Sequence, residues 1–269
     1  MIEQTRKCPG SLMIFRDPYH ATYVPRSGMQ QWAPARPALP LIYLLLLMLI
    51  VAACSPGQPA NQGTAGSAHP AKVSGQLTYV AIGASDTFGF GTRDPYGENW
   101  ATDLANDLSV NANVHLVNLG IPGMHLHQAL SVELPVALDV HPNLVTIWLA
   151  VNDLADKVPL ASYSHDLNVL LSRLQAGMPH VRIAIANVPD LTLLPHFSTF
   201  DPVVLRQQIH DYNVAIAATV NRHHVILVDV SSHNYDLAQH PEYISPDGLH
   251  PSVVGYVQLA DIFYQALQG

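Results

Sequence analysis

The chain has 269 residues, 49% of them hydrophobic, enough to bury a full core. Its 12 basic and 20 acidic side chains give a formal net charge of −8. This balance argues against nucleic-acid binding and against electrostatic attachment to anionic lipid, both of which need clustered Lys and Arg.

Residues 1 to about 38 carry basic residues and prolines without a periodic pattern. Leu39 to Ala53 is an uncharged apolar run of about 15 residues. That is short of the ~20 a membrane-spanning helix needs and typical of a secretory-signal core. The run ends in Val51-Ala52-Ala53-Cys54, which resembles the lipobox of bacterial lipoproteins. The resemblance implies lipidation of Cys54, cleavage before it, and an extracytoplasmic domain held to the cell membrane by lipid. Residues 1–53 are then a leader, which starts within the usual signal length if translation begins at Met29. The leader holds five of the 12 basic and two of the 20 acidic residues, leaving seven against 18, a net charge of −11. It also holds Cys8, the only other cysteine, so no disulfide is expected in the mature chain. Residues 54–76, rich in Pro, Gly, Ala and Ser, read as a flexible tether.

From Leu77 to the end, apolar strand-like runs alternate with amphipathic helical stretches. Leu77–Ile82 is a first strand, and Glu98–Leu108 places Trp100, Leu104 and Leu108 on one helix face. Val114–Leu119 is a second strand. His125–Leu138 has helical pattern with a break or kink expected at Pro135. Leu144–Leu149 is a third strand, Tyr163–Ala176 a helix, and Val181–Ala186 a fourth strand. A long loop, Asn187–Phe200, precedes a helix over Pro202–Asn221, with Pro in its first turn. Val225–Val230 is a fifth strand, and Ser252–Leu267 the last helix. Strands separated by helices, without hairpin signals, predict one α/β domain over 77–269: a three-layer α/β/α sandwich around a five-stranded parallel sheet.

Polar residues suited to acyl transfer lie just after strand ends: Ser85 after the first, Gly120 after the second, Asn152 after the third, and Asp247 with His250 after the fifth. A parallel sheet brings these ends to one edge, where ligands bind. A serine nucleophile needs a base within reach, a group to orient that base, and donors for the oxyanion. Asp247 and His250, three apart on a tight turn, suit the acid and the base. Each residue also has a plainer reading: Ser85 or Asp86 as a helix cap, Asn152-Asp153 as another, Gly120 and Gly123 as turn glycines, and Asp247-Gly248 as a turn.

Taken together, Gly83-Ala84-Ser85-Asp86, Asn118-Leu119-Gly120-Ile121-Pro122-Gly123, Ala150-Val151-Asn152-Asp153 and Asp247 to His250 resemble the four ordered blocks of the SGNH, or GDSL-type, esterase and lipase superfamily. The resemblance implies a flavodoxin-like fold and a cofactor-free serine hydrolase, acting as a monomer on a small-molecule, lipid or glycan ester. Ser85 would be the nucleophile, with His250 as base and Asp247 as its partner. The N–H groups of Ser85 and Gly120 and the Asn152 amide would hold the oxyanion. Two positions depart from the family pattern: Ala84 stands where Asp is usual, and Ala150 where Gly is usual. A non-catalytic lipoprotein that binds a ligand in the same crevice is the competing reading. The Gly-x-Ser-x-Gly elbow of α/β-hydrolases is missing, since position 87 is Thr.

The pairs His125/His127 and His223/His224 lack matched ligands at metal spacing, so no metal is expected. Gly89-Phe90-Gly91 does not complete a dinucleotide fingerprint, because position 94 is Asp. Trp100 and Trp148 are expected in the core. The loop Asn187–Phe200 is apolar for a surface connection, and with Phe88 and Phe90 it suggests a hydrophobic acyl or alcohol group. Packing of Leu191, Leu193, Leu194 and Phe197 on the domain explains the loop equally well.

Overall fold

The structure is a computed structural model that describes residues 75–232 and 235–269. The chain falls into two units, Met1–Thr64 and Ala65–Gly269, and every described residue belongs to the second. The expected leader, Cys54 and nearly all of the tether lie outside the described residues.

Five strands form one wholly parallel sheet: β1 (Gln76–Gly83), β2 (Asn113–Asn118), β3 (Leu144–Trp148), β4 (Arg182–Ala186) and β5 (Ile226–Val228). Their spatial order is β2-β1-β3-β4-β5. The α/β/α reading of the sequence is therefore correct. β1 is an interior strand, pairing through Val80↔Val117 on one side and Val80↔Val145 on the other. β3 is buried along its whole length, as a strand covered on both faces must be.

The helices are α1 (Ser85–Phe88), α2 (Trp100–Leu108), α3 (Leu126–Ala129), α4 (Glu133–Val140), α5 (Val151–Ala155), α6 (Leu160–Gly177), α7 (Pro202–His223) and α8 (Val253–Gln268). α2 packs on α8, while α6 packs on α3, α4 and α7, so two helical layers flank the sheet. The long helices begin where sequence chemistry lets them. Asn99 accepts from the Thr102 N–H, Asp201 from those of Val203 and Val204, and Ser252 from that of Gly255. Pro202 occupies the first turn of α7, where its missing N–H costs nothing.

Two expectations are corrected. The stretch His125–Leu138 is broken into two helices, but at residues 130–132 rather than at Pro135. Pro135 is the third residue of α4, where no intrahelical N–H is needed; a helix continuous from α3 would instead drive its ring into the Ser131 carbonyl. β5 is also shorter than Val225–Val230. Beyond Val228 the N–H groups of Val230 and Ser231 turn to the Asn187 side chain, at 2.8 and 3.0 Å, and leave the sheet.

The core between the sheet and the α2/α8 layer is built on Trp100, fully buried, stacked on Phe263 at 4.1 Å and set edge-on to Trp148 at 6.3 Å. Trp100→Ala removes the largest of these side chains from a close-packed site. It is expected to lower unfolding stability by about 3–5 kcal/mol, read from urea-denaturation midpoints.

Candidate active site

In the order β2-β1-β3 the connections leaving β1 and β3 turn to opposite faces of the sheet, which opens a crevice at their carboxyl ends. Ser85 emerges there as the first residue of α1. Ala84 holds the cap position and makes no side-chain cap bond, so neither Ser85 nor Asp86 is a capping residue. The turn is tight: a Cβ on Gly83 would strike Thr87 Oγ1, and one on Gly120 would strike the backbone of Thr87 and Phe88.

Asp247 and His250 meet on a closed turn. The backbone N–H of Ser245 donates to the His250 carbonyl at 2.8 Å, and that of Gly248, at φ 74°, to the Ser245 carbonyl at 3.0 Å. Inside this turn His250 Nδ1 lies 2.7 Å from Asp247 Oδ2. Asp247 Oδ1 accepts from the backbone of Leu249 at 2.8 Å, the backbone of His250 at 3.0 Å and the Ser245 hydroxyl at 2.8 Å. Burial alone would raise the Asp247 carboxyl; the hydrogen bonds from His250, Leu249 and Ser245 outweigh it and hold the group well below the usual carboxylate range. An ionised Asp247 accepts a hydrogen bond from Nδ1–H, which fixes that tautomer and leaves Nε2 as the basic nitrogen. His250 is 9% exposed, and its ring lies against Phe90, with centroids 4.7 Å apart.

Ser85, Asn152 and His250 line one cavity, together with Asp86. Its walls are mostly apolar, with Trp148, Leu191, Leu194 and Phe197 on one side and Tyr235 and Leu249 on another. Two alternatives left open by sequence thus coexist. Leu191, Leu194 and Phe197 are buried against the domain and still form the cavity wall, while Leu193 is turned out. Trp148 is a core residue whose surface also faces the cavity. The loop is tied to the His250 turn by the His196 N–H, 3.0 Å from the Gly248 carbonyl. Phe88 is elsewhere: it packs edge-on against Tyr96 and lines a different groove. Burial raises the Asp86 carboxyl, with the nearby His250 opposing.

Asn152 lies on α5, whose cap position, Ala150, has no side-chain bond. Its Nδ2 donates to the Met124 carbonyl at 3.0 Å, which fixes the amide and leaves its second hydrogen for a ligand. Asp153 is not a cap; it is buried and accepts the Leu126 N–H at 3.1 Å. Gly120 is placed differently from expectation. Its N–H donates to Asn118 Oδ1 at 2.9 Å and it lines the Phe88 groove, outside the cavity of Ser85. Gly123, at φ 79°, adjoins the Met124 carbonyl that holds Asn152, and its N–H has no acceptor among the described residues. The signal was present in sequence, as the second glycine of Gly120-Ile121-Pro122-Gly123.

Among the described residues no group of three or more His, Cys, Asp or Glu could hold a metal ion. His125 pairs with Asp156 at 2.7 Å, His127 with Asp166 at 3.1 Å, and His223 with Gln175 at 2.9 Å. No described helix is long and apolar enough to cross a membrane.

The profile of the GDSL-like lipase/acylhydrolase family matches residues 81–258, and the chain belongs to that family of ester hydrolases. No protein of curated function matches the sequence. Similar solved structures include TesA, at 18% identity, TM-score 0.60, covering 71% of this chain and 98% of that one. The acetylxylan esterase Axe2 of Geobacillus stearothermophilus matches at 18% and 0.60, over 74% and 97% of the two chains. The psychrotrophic esterase EstA of Pseudoalteromonas sp. matches at 18% and 0.59, over 71% and 97%. At these identities the likeness is one of fold.

Asp247→Asn keeps the shape of the turn but removes the charge that fixes the imidazole. It is expected to lower kcat by about 10⁴ in ester hydrolysis, as loss of the triad carboxylate does elsewhere. Because folding lowers the Asp247 pKa, its stabilising contribution is fully present above the unfolded value and is lost as pH falls through the folded one. Denaturation midpoints measured below about pH 4 should therefore fall less steeply for Asp247→Asn than for wild type.

Proposed function

We propose that this ester hydrolase works by acyl transfer through Ser85. The observation that carries the reading is the Asp247–His250 pair, 2.7 Å apart, whose imidazole borders the same cavity as Ser85. His250 Nε2 takes the hydroxyl proton as Ser85 Oγ attacks the ester carbonyl, and Asp247 stabilises the imidazolium. The tetrahedral oxyanion is held by the Asn152 amide and by the N–H groups of Ser85 and Gly123, the last in place of Gly120, whose N–H is engaged by Asn118. Collapse breaks the ester C–O bond, and the His250 proton leaves with the alcohol. Water, deprotonated by His250, then attacks the acyl-enzyme and releases the acid and free Ser85.

The apolar cavity wall supports an ester with a hydrophobic acyl or alcohol group over a short acetyl ester of a glycan. The protein acts as a monomer, held by a lipid on Cys54 to the outer face of a bacterial cell membrane. The support for that placement is the apolar run ending at Cys54 and an acidic mature chain that has no basic patch to hold it there.

The test is a fluorophosphonate probe together with p-nitrophenyl esters of increasing acyl length, an acetylated xylo-oligosaccharide and an acyl thioester. Wild type should label and hydrolyse, with a preference for acyl chains longer than acetyl; Ser85→Ala should do neither. Asn152→Ala should lose about 10²–10³ in kcat. Folded wild type that neither labels nor hydrolyses any ester would make the chain a ligand-binding relative.

A further inference from the structure

Behind the nucleophile turn lies a carboxyl that the acyl-transfer mechanism leaves unused. Glu133, the first residue of α4, is 1% exposed and points into the sheet rather than to solvent. Its Oε1 accepts the Gly83 N–H at 3.0 Å, whereas Oε2 is buried and has no hydrogen-bond partner. Gly83 is the last residue of β1, two before Ser85. On its β2 side the Gly83 carbonyl still accepts the Ile121 N–H at 3.1 Å, but its own N–H has left the sheet ladder for Glu133. One residue, Gly83, thus connects Glu133 to the turn that starts α1 and to the 121–124 turn that carries Gly123 and Met124.

We propose that Glu133 is a positioning residue for the acyl-transfer site: by anchoring Gly83 it fixes the end of β1, and through Gly83 and Ile121 the turn bearing Gly123, so that nucleophile and oxyanion donors keep one geometry. The inference rests on the acyl-transfer reading of Ser85. A buried N–H at a strand end needs an acceptor, and a core built only for stability would have met that need with less cost than a carboxyl. What the carboxyl adds is an acceptor that reaches across from the opposite helical layer and is held at its own end by α4.

The same burial makes the arrangement sensitive to pH. Desolvation pushes the Glu133 carboxyl up to about 8, against the lowering effect of the Gly83 N–H. Among the described residues no nearby charge compensates. Tyr79 of β1 turns its hydroxyl to Thr146, Asp166 of α6 pairs with His127, Arg173 of α6 reaches the Leu130 carbonyl, and Asp139 of α4 is more than a helical turn along. The neutral form of Glu133 therefore predominates at neutral pH. Above its pKa it becomes an anion behind the donors on which a second negative charge must develop in the transition state, and the two repel. Since folding raises this pKa, the group's contribution to stability is complete below the unfolded value and is lost as pH rises through about 8.

The full chain is tested as wild type, Glu133→Gln and Glu133→Ala, with active enzyme counted by fluorophosphonate titration. Glu133→Gln retains an acceptor for Gly83 and cannot ionise; its kcat at pH 7 should stay within about threefold of wild type, and the fall in wild-type kcat above about pH 8 should disappear. Glu133→Ala should lose at least about tenfold in kcat with KM within about twofold, the mark of misplaced donors rather than lost binding. A Glu133→Gln profile that keeps the wild-type alkaline fall overturns the proposal, as does folded Glu133→Ala with wild-type kcat. If Glu133→Ala does not fold, the Glu133→Gln pH profile decides alone. Wild type inactive on every ester overturns the acyl-transfer reading itself, a result distinct from an active wild type whose pH profile the Gln variant shares.

Discussion

Strand β1 is bonded on both sides, to β2 and β3, while the chain leaving it turns toward the α2/α8 layer and the chain leaving β3 turns toward the opposite one. This topological constraint opens the crevice and decides which residues share it. Ser85 stands at the end of one wall and Asn152 at the end of the other, 67 positions apart in the sequence. Backbone fixed by two sheet neighbours moves little, so Ser85 inherits the rigidity of an interior strand. The base has no such strand beneath it. β5 is short, and His250 comes well after it, on a turn that must be made rigid locally. Three hydrogen bonds to one Asp247 oxygen do so, together with the closed backbone from Ser245 to His250.

Two carboxyls tied to the site, those of Asp247 and Glu133, are pushed in opposite directions by their surroundings. Asp247 is partly exposed and receives four hydrogen bonds, so ionisation is favoured despite partial burial. Glu133 is enclosed and receives one, so its neutral form is favoured. In the proposed acyl transfer, the charge on Asp247 is thereby kept beside His250, where an imidazolium would form. A charge that would oppose the oxyanion is suppressed behind Gly83. Environment rather than residue type separates these roles, as in other sites where two acids act differently at one pH.

Most of this was legible in the chain, for physical reasons that differ by residue. The strands were visible because buried parallel strands are short apolar runs, and Ser85 and Asn152 were visible because each follows such a run; Asp247 and His250, well past β5, were visible only through their own spacing on a turn. Gly120 and Gly123 were not separable in this way. Both are glycines of one loop, and what distinguishes them is that Asn118 captures the N–H of Gly120, a bond across a turn that spacing does not encode. Ser245 was invisible because its hydroxyl acts through Asp247. Glu133 lay within a helical pattern, where an acid ordinarily faces water; only the packing of α4 on β1 turns it inward. The shortening of β5 had the same origin, a side chain, Asn187, competing with a neighbouring strand for backbone N–H groups.

The two departures from the family pattern gain a structural meaning in this light. Ala84 and Ala150 are both buried, and each occupies the cap position of the short helix that follows its strand, α1 and α5. An acidic side chain at such a position is a natural acceptor for the first N–H groups of the helix. A methyl group is not, and neither helix has a side-chain cap. The substitution at Ala84 therefore removes a competitor for the N–H groups beside Ser85 and leaves the acid of this block at Asp86, one residue beyond the nucleophile and on the cavity wall. The acid of the first block thus borders the cavity of Ser85, and any group seated there must share it with a carboxyl whose neutral form burial favours.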